Sequence, residues 1–353
     1  MCDVKTYLEQ AVAMQVSDLF LVAGSPVSVK LDGHLRPLSE EKLLPPDTKV
    51  LIEDLYKLAL RPIEAYLSSG DDDFSFAVPG LARFRVNTYR QRGSMAAVIR
   101  VVSFTIPDWK EMHILPHIME LSKLTNGMVL VTGAADSGKS TTLACLIDEI
   151  NKTRSCHIIT LEDPIEYLHR DRMSIISQRE MTIDTATFPT ALRACLRQSP
   201  DVIQLGEMRD METIRAAMTA AETGHLLLTT LHTRSAVSTI DRIIDTFPAE
   251  QQEQIRIQLC SVLHTVICQQ LLPSKQGKLV PAFEIMHMNK AIASLIRDRK
   301  IHQIDNTIAS GAAEGMVSMD QYILNLYQAG AIERDTAVRF ARNQDQLARK
   351  LNF

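Results

Sequence analysis

The stretch Met128-Val-Leu-Val-Thr-Gly-Ala-Ala-Asp-Ser-Gly-Lys-Ser-Thr-Thr142 decides the fold. Its apolar opening, Met128 to Val131 with Thr132, reads as a buried strand. Gly133 opens a tight loop, and Gly138-Lys139-Ser140 starts a helix that continues from Thr141 to Ile150. The pattern is G-x-x-x-x-G-K-S with a strand before it and a helix after it, the context that gives it meaning. Backbone N–H groups of such a loop converge on an anion at the positive end of the helix dipole. The expected nucleotide-binding set is therefore Gly133, Ala134, Ala135, Asp136, Ser137, Gly138, Lys139, Ser140 and Thr141. Lys139 is expected to reach the β- and γ-phosphates of ATP, and the Ser140 hydroxyl to ligate Mg²⁺.

Working outward toward the C-terminus, strands and helices alternate. Strands are expected at His157–Leu161, Val202–Leu205 and His225–Leu231, with helices at 139–151, near 189–198, at 211–222 and at 235–246. Such alternation predicts a parallel sheet covered by helices on both faces, with ligands at the carboxyl ends of the strands. Beyond it, helical spacing at 249–271, 289–300 and 318–349 predicts a helical C-terminal part over about 249–353. Each later strand ends in polar groups: Glu162-Asp163, Gly206-Glu207, and the pair His225 and His232 flanking the last strand. In many phosphate-loop NTPases an apolar strand ends in an Asp that orients Mg²⁺ and a Glu that activates water. Here the Asp position is Gly206, which leaves Glu207 as candidate base and Glu162 or Asp163 to support the metal.

Toward the N-terminus the reading changes character. Val4 to Met14 has helical spacing, Asp18 to Val22 reads as a strand, and Val27–Leu31 with His34–Leu38 predicts a hairpin turned at Asp32-Gly33. Asp47 is expected to cap a helix running to about Leu67, and Asp71-Asp72-Asp73 to form a solvated loop. Ala82 to Arg90 alternates with period two, placing Phe84 and Val86 on one face and Arg83, Arg85 and Asn87 on the other. Gln91-Arg92-Gly93 turns the chain into Met95–Val102, which carries Arg100. On spacing alone these arginines fit either a solvated strand face or a donor set for a phosphate held elsewhere. Ser103 to Ile114 is expected to link this part to the next.

Composition bounds the class. The 353 residues are 46% hydrophobic and 23% charged, an ordinary globular balance with room for two domains. A net charge of −4 creates no basic field to attract nucleic acid. The six cysteines include no C-x-x-C pair, which argues against a zinc site or a disulfide scaffold. No apolar run approaches the roughly 18 residues that would span a bilayer, so direct membrane insertion is not expected.

Several long motifs together resemble the secretion-type hexameric ATPases, and within them the PilT-like ATPases that retract type IV pili. Thr160-Leu-Glu-Asp-Pro-Ile-Glu166 resembles that family's Asp box, and Asp201 to Asp210 its atypical Walker B. Thr219 to Thr233 resembles its His box, and Arg83-Phe-Arg-Val-Asn87 its N-terminal arginine strand. The resemblance implies an α/β protein: a small PAS-like α+β domain over 1–104, a linker at 105–114, and a RecA-like ATPase domain over 115–353. It implies ATP and Mg²⁺ as cofactors, Glu207 as catalytic base with Glu162 and Asp163 in support, His225 and His232 as γ-phosphate sensors, and Arg83, Arg85 and Arg100 as transition-state cations. It further implies a cytoplasmic homo-hexamer recruited to the membrane at a pilus base, an inner-membrane platform protein as partner, and a paralogous retraction or extension ATPase alongside. Pilus-assembly and type II secretion ATPases share the motor domain, but they usually carry a further N-terminal domain and a tetracysteine metal site. A catalytically weak accessory ring subunit is the reading from another class.

Departures from the family's pattern are local. Ala134, Ala135 and Asp136 stand where the loop usually reads Pro, Thr and Gly; Ala293 replaces an arginine in Ala291 to Asp298; and Phe20 replaces the histidine of D-L-H-L. The Asp136 carboxylate is expected to point outward, since aimed inward it would repel the phosphates.

Overall fold

A computed structural model describes residues 3–31, 34–102 and 105–351. The chain divides into two compact units: one runs to Thr105 and takes in Glu166–Leu168, and the other comprises Ile106–Ile165 and everything from His169 onward.

The first unit contains α1 (Val4–Ala13), β1 (Asp18–Leu21), β2 (Pro26–Leu31), β3 (His34–Lys42), α2 (Pro45–Leu58), α3 (Glu64–Ser69), β4 (Asp71–Val78), β5 (Ala82–Gln91) and β6 (Ser94–Val102). Its strands pair antiparallel in the order β3-β2-β1-β6-β5-β4. Alternate residues of β5 are buried, as period-two spacing requires, so Phe84 and Val86 join Leu19, Ile99, Ile52 and Tyr56 in the core. The β5–β6 connection is the two-residue turn Arg92-Gly93, both at positive φ (49° and 77°), the twist a tight hairpin needs. The corresponding Asp32-Gly33 turn lies outside the described residues.

Two expectations for this unit need correction. The helix expected from Asp47 to Leu67 is broken: α2 ends at Leu58, Leu60 takes φ 52°, Pro62 follows, and α3 begins only at Glu64. Proline removes a helical donor and bars the preceding residue from the helical region, so the break follows from Pro62. Asp47 is not the cap itself; it sits in the first turn and accepts a hydrogen bond from the Leu44 N–H at 2.8 Å. The acidic triplet is not a loop either, because Asp71 to Asp73 open strand β4. Arg61 pairs Asp72 through two hydrogen bonds (2.8 and 2.9 Å), and the Tyr56 hydroxyl donates to the same carboxylate at 2.9 Å.

The second unit contains α4 (Pro116–Met119), β7 (Gly127–Thr132), α5 (Lys139–Thr153), β8 (His157–Glu162), β9 (Ile175–Glu180), α6 (Phe188–Cys195), β10 (Val202–Leu205), α7 (Met211–Glu222), β11 (Leu226–Leu231), α8 (Ala236–Asp245), α9 (Gln252–Val262), β12 (Leu263–Pro273), β13 (Leu279–His287), α10 (Lys290–Arg297), α11 (Ile304–Ser310), α12 (Met319–Gln328), α13 (Arg334–Phe340) and α14 (Gln344–Lys350). Its sheet runs β13-β12-β7-β11-β10-β8-β9, parallel except for β13. Both faces are covered. Leu130, Ile159, Leu161, Ile203 and Leu227 point into one core, and their neighbours Val129, Val131, Ile158, Val202 and Leu226 into another. That arrangement is why the strands read as continuous apolar runs rather than as alternating ones.

The stretch expected as linker packs on this unit: Ile106, Trp109 and Ile114 lie against the second core, and the Cys145 thiol donates to the Pro107 carbonyl at 3.4 Å. Ser103 and Phe104 lie outside the described residues. The helical reading of 249–271 holds only as far as Val262, after which Leu263–Pro273 and Leu279–His287 form a hairpin that extends the sheet. The β-branched run Thr265-Val266-Ile267 and the turn at Gly277 (φ 76°) favour strands there, and pairing with β7 supplies the ladder. The fold class is otherwise the one expected, an α/β chain with an antiparallel sheet first and a mainly parallel sheet after it.

Candidate functional site

The loop after β7 is shaped by its glycines and by one residue the sequence did not single out. At Gly133 (φ 151°) a Cβ would come within 2.3 Å of the Gln269 carbonyl oxygen and 2.5 Å of Ser137 Oγ. At Gly138 (φ 85°) it would come within 2.8 Å of Gln269 Nε2. Neither position admits a side chain without a shift. Gln269, on β12 beside β7, also accepts a hydrogen bond from Thr142 Oγ1 at 2.7 Å, so it braces the loop at both ends. Lys139 bends over the loop and donates to the Gly133 and Ala134 carbonyls at 3.0 and 2.6 Å. Ser137 is 4% exposed, and its hydroxyl has no hydrogen-bond partner among the described residues. A buried hydroxyl left bare inside a glycine-lined cradle fits a loop that closes around an oxyanion.

Main-chain and threonine hydrogen bonds tie the neighbouring strand ends to this loop. The Gly133 N–H donates to the Leu231 carbonyl (3.2 Å), Thr230 Oγ1 to the Gly206 carbonyl (2.7 Å), and the Gly206 N–H to the Leu161 carbonyl (2.8 Å). The carboxyl ends of β7, β11, β10 and β8 therefore present Gly133, His232, Glu207 and Glu162 along one edge of the sheet. Glu207 is 12% exposed; its Oε1 pairs with Arg209 at 2.5 Å and its Oε2 lies 3.3 Å from His232 Nε2. Oε2 itself makes no hydrogen bond among the described residues. Glu162 is buried and held by Thr160 Oγ1 (2.5 Å) and Gln178 Nε2 (3.1 Å), both on Oε1. Asp163, next in the chain, is exposed. Gly206 occupies a tight place: a Cβ would meet the Leu161 carbonyl at 3.1 Å and the Phe188 ring at 3.2 Å, so an aspartate there would have to displace Phe188.

His225 needs correction. It precedes β11, at the amino end of the strand, where its Nδ1 donates to the Ala220 carbonyl (3.0 Å) and lies 3.1 Å from Thr223 Oγ1. Six strand residues separate it from the loop's edge, about 20 Å of extended chain, so it cannot sense a phosphate held by the same chain's loop. It closes the turn after α7 instead.

The three arginines belong to the first unit and share one sheet face. Arg85 stands directly opposite Arg100, and Arg83 is two residues along β5. Two like charges directly across a ladder repel, and each is answered by a carboxylate: Asp73 with Arg85 (2.8 Å) and Asp18 with Arg100 (3.0 Å).

A cavity of about 550 Å³ opens beside the phosphate loop, walled by Gly133 to Ser137, Gln269, Leu271, Arg234 and the segment 339–344. Nothing in the sequence marked these last residues, since they reach the loop only through the β12–β13 hairpin.

Comparison with known proteins agrees with this geometry. The family described as Type II/IV secretion system protein matches residues 2–350. The chain is 42% identical over 336 residues to the type IV pilus retraction ATPase PilT of Pseudomonas aeruginosa, covering 95% of this chain and 97% of that protein. It is 41% identical over 321 residues to a twitching motility protein of Neisseria gonorrhoeae, covering 91% and 85%. A crystal structure of the pilus retraction motor PilT with bound ADP superposes with a TM-score of 0.90 at 42% identity, covering 99% of this chain and all of that one. The chain thus belongs to the Type II/IV secretion system protein family, among its PilT-like ATPases.

Proposed function

We propose that the protein is a Mg²⁺-dependent ATPase that works as a homo-hexameric motor and pulls pilin subunits out of a type IV pilus. The observation that carries the chemistry is Glu207: a nearly buried carboxylate with one bare oxygen, on the same sheet edge as the phosphate loop. Such an oxygen is placed to accept a proton from water. Gly133 to Gly138 and Lys139 hold the phosphates. Among the described residues no group of three or more His, Cys, Asp or Glu is assembled for a metal, which fits an ion held by Ser140 together with phosphate oxygens rather than by a protein cage. When bound, Mg²⁺ would neutralise phosphate charge, with Glu162 and the exposed Asp163 placed to support it, and His232 orients Glu207. Arg83, Arg85 and Arg100 offer cations to the charge that develops in the transition state.

The retraction role rests on the similarity to the Pseudomonas and Neisseria proteins. No helix among the described residues is long and apolar enough to cross a membrane. In this reading the ring docks from the cytoplasmic side and couples to the pilus base through an inner-membrane platform protein. Measuring phosphate release and particle mass on one purified sample tests the reading. A hexamer that releases phosphate only with Mg²⁺, and ceases to in Lys139→Ala, is expected. A hexamer that releases none would make the chain an accessory ring subunit.

A further inference from the structure

We infer that His117, His264 and His287 form a proton-operated latch that holds α4 against the β12–β13 end of the second unit's sheet and lets it go as the medium becomes acidic. Two of the rings share a single hydroxyl. Thr265 stands opposite His287 in the β12–β13 ladder and is fully buried, and its Oγ1 lies 2.8 Å from His264 Nδ1 and 2.9 Å from His287 Nδ1. The ring centroids are 6.3 Å apart. A bulge sets His264 there: the register between β12 and β7 shifts between Leu263 and Thr265, and His264 is the residue left over. A Cβ on Gly127 would lie 3.8 Å from the His264 Cβ, so the cluster stands at the start of β7, the strand whose other end opens into the phosphate loop. His117 is the third member. It lies on α4 next to Ile118, which shares a core with Ile267 and Ile285, the residues two positions from Thr265 and His287 on the same strand faces. Its Nε2 is buried without a hydrogen-bond partner among the described residues, and its charge acts on His287.

The hydrogen bonds of this cluster favour neutral rings. A hydroxyl has one proton to give and two lone pairs to offer. With both imidazoles neutral, Thr265 Oγ1 donates to one Nδ1 and accepts from the other, and no group is left over. With both protonated, two N–H groups point at the same oxygen, and the hydroxyl proton has no acceptor among the described residues. Charge acts in the same direction. His287 is faced by His264 from β12 and by His117 from α4, which become cations over the same pH range. The carboxylate that acts on it, Glu314 in the turn before α12, is exposed and engaged by Asn289 Nδ2 at 2.9 Å. Glu120, just past α4, has the same opposing effect on His117. Burial is the largest influence on all three and holds each pKa below the ordinary 6.5. A chain in which α4 has come away exposes the rings to water and binds protons more tightly. The fastened form is therefore fully favoured above pH 6.5 and loses ground as the pH falls below it.

Amide hydrogen exchange on the whole protein tests the latch between about pH 7.5 and about pH 5.5, with rates expressed as protection so that the intrinsic pH dependence of exchange drops out. The reporters are the Ile118 and Met119 N–H groups, bonded to the Leu115 carbonyl, and the Met288 N–H, bonded to the His264 carbonyl. Their protection is expected to fall by about tenfold over this range, the size of a one-unit difference in proton affinity. The double variant His264→Asn/His287→Asn keeps an amide at each Nδ1 position for Thr265 but takes up no proton, and its protection should stay constant within about twofold. His117→Gln leaves both strands untouched and should limit the fall to about threefold, which keeps the test open if the double variant does not fold. His302→Asn removes an exposed imidazole between α10 and α11 and should respond as the wild type does. Protection that does not change with pH in the wild type overturns the latch, and so does a fall of the wild-type size in His117→Gln and the double variant.

Discussion

The two units of this chain treat some of their polar groups differently. In the first, three acidic groups of the sheet are answered within the unit: Asp72 by Arg61 and Tyr56, Asp73 by Arg85, Asp18 by Arg100. In the second, the edge beside the phosphate loop leaves buried polar atoms bare, namely Ser137 Oγ and Glu207 Oε2. Folding normally satisfies buried polar groups, since each unmet one costs on the order of 1–3 kcal/mol. A cluster of unmet groups at the carboxyl ends of parallel strands therefore marks where a ligand completes the structure. Answered charges mark architecture, whatever further task they perform.

The largest effect that can break this contrast comes from Glu207. Glu207→Gln keeps the shape and removes the basic oxygen, and hydrolysis should fall by about two or more orders of magnitude with ATP binding and assembly retained, the usual scale for a general base. Near-normal turnover would reduce the bare oxygen to a packing defect.

The arginine face tests the contrast from the other side. Replacing Arg83 and Arg85 by Ala removes an ion pair, Arg85–Asp73, whose partners are 39% and 48% exposed, and such a pair contributes at most about 1 kcal/mol. If these residues also stabilise the transition state, turnover drops by roughly tenfold or more while the Tm moves only a few degrees. A lowered Tm with turnover intact leaves them as architecture alone.

His169 sharpens the rule by supplying an exception. Its Nδ1 is buried and without a hydrogen-bond partner among the described residues, yet it lies before β9 and not at the loop's edge. Burial depresses its pKa from the ordinary 6.5 to about 4, so the unfolded chain binds the proton more tightly. Its contribution to stability is whole above pH 6.5 and is lost as the pH falls toward 4, about 2 kcal/mol between pH 7 and 5. His169→Gln should flatten the acid side of the Tm–pH profile and leave turnover at neutral pH unchanged. A profile that keeps its slope in the variant places the acid sensitivity elsewhere.

The legible parts of this molecule are those whose physics is local. The strand–loop–helix around Lys139 follows from a run of apolar residues and two glycines, and the β5–β6 turn from Arg92-Gly93. That Glu207 and His232 meet at one edge of the sheet was legible because a strand end in a parallel sheet points one way. What was missed depends on long-range pairing. Gln269 is an ordinary glutamine until β12 lies beside β7, more than a hundred residues away in sequence, and Phe340 faces the cavity only because Glu284 and Gln270 hold it there. The place of His225 was hidden for the converse reason: proximity to His232 in the motif concealed the length of the strand between them.

The smallest effect concerns Asp136, the loop residue where the related proteins usually have glycine. The residue adopts φ 58° and its side chain is exposed, so the backbone shape that glycine favours is kept and the carboxylate is in contact with solvent. A carboxylate about 6 Å from a phosphate charge costs roughly 3 kcal/mol at an effective dielectric near 20, and less than 1 kcal/mol as that value approaches the dielectric of water. Exposure puts Asp136 nearer the second limit. Its left-handed backbone adds a small strain, because aspartate tolerates this region better than most residues but not as well as glycine. Both effects oppose binding, so Asp136→Gly should tighten ATP by about threefold. Titration of the two proteins at fixed Mg²⁺ measures it, and the gain should shrink as salt is added because an exposed charge is screened. Unchanged or weaker binding in the glycine variant would mean that the carboxylate makes a favourable contact with the nucleotide or its metal, and the loop's edge would then have to be redrawn to include it.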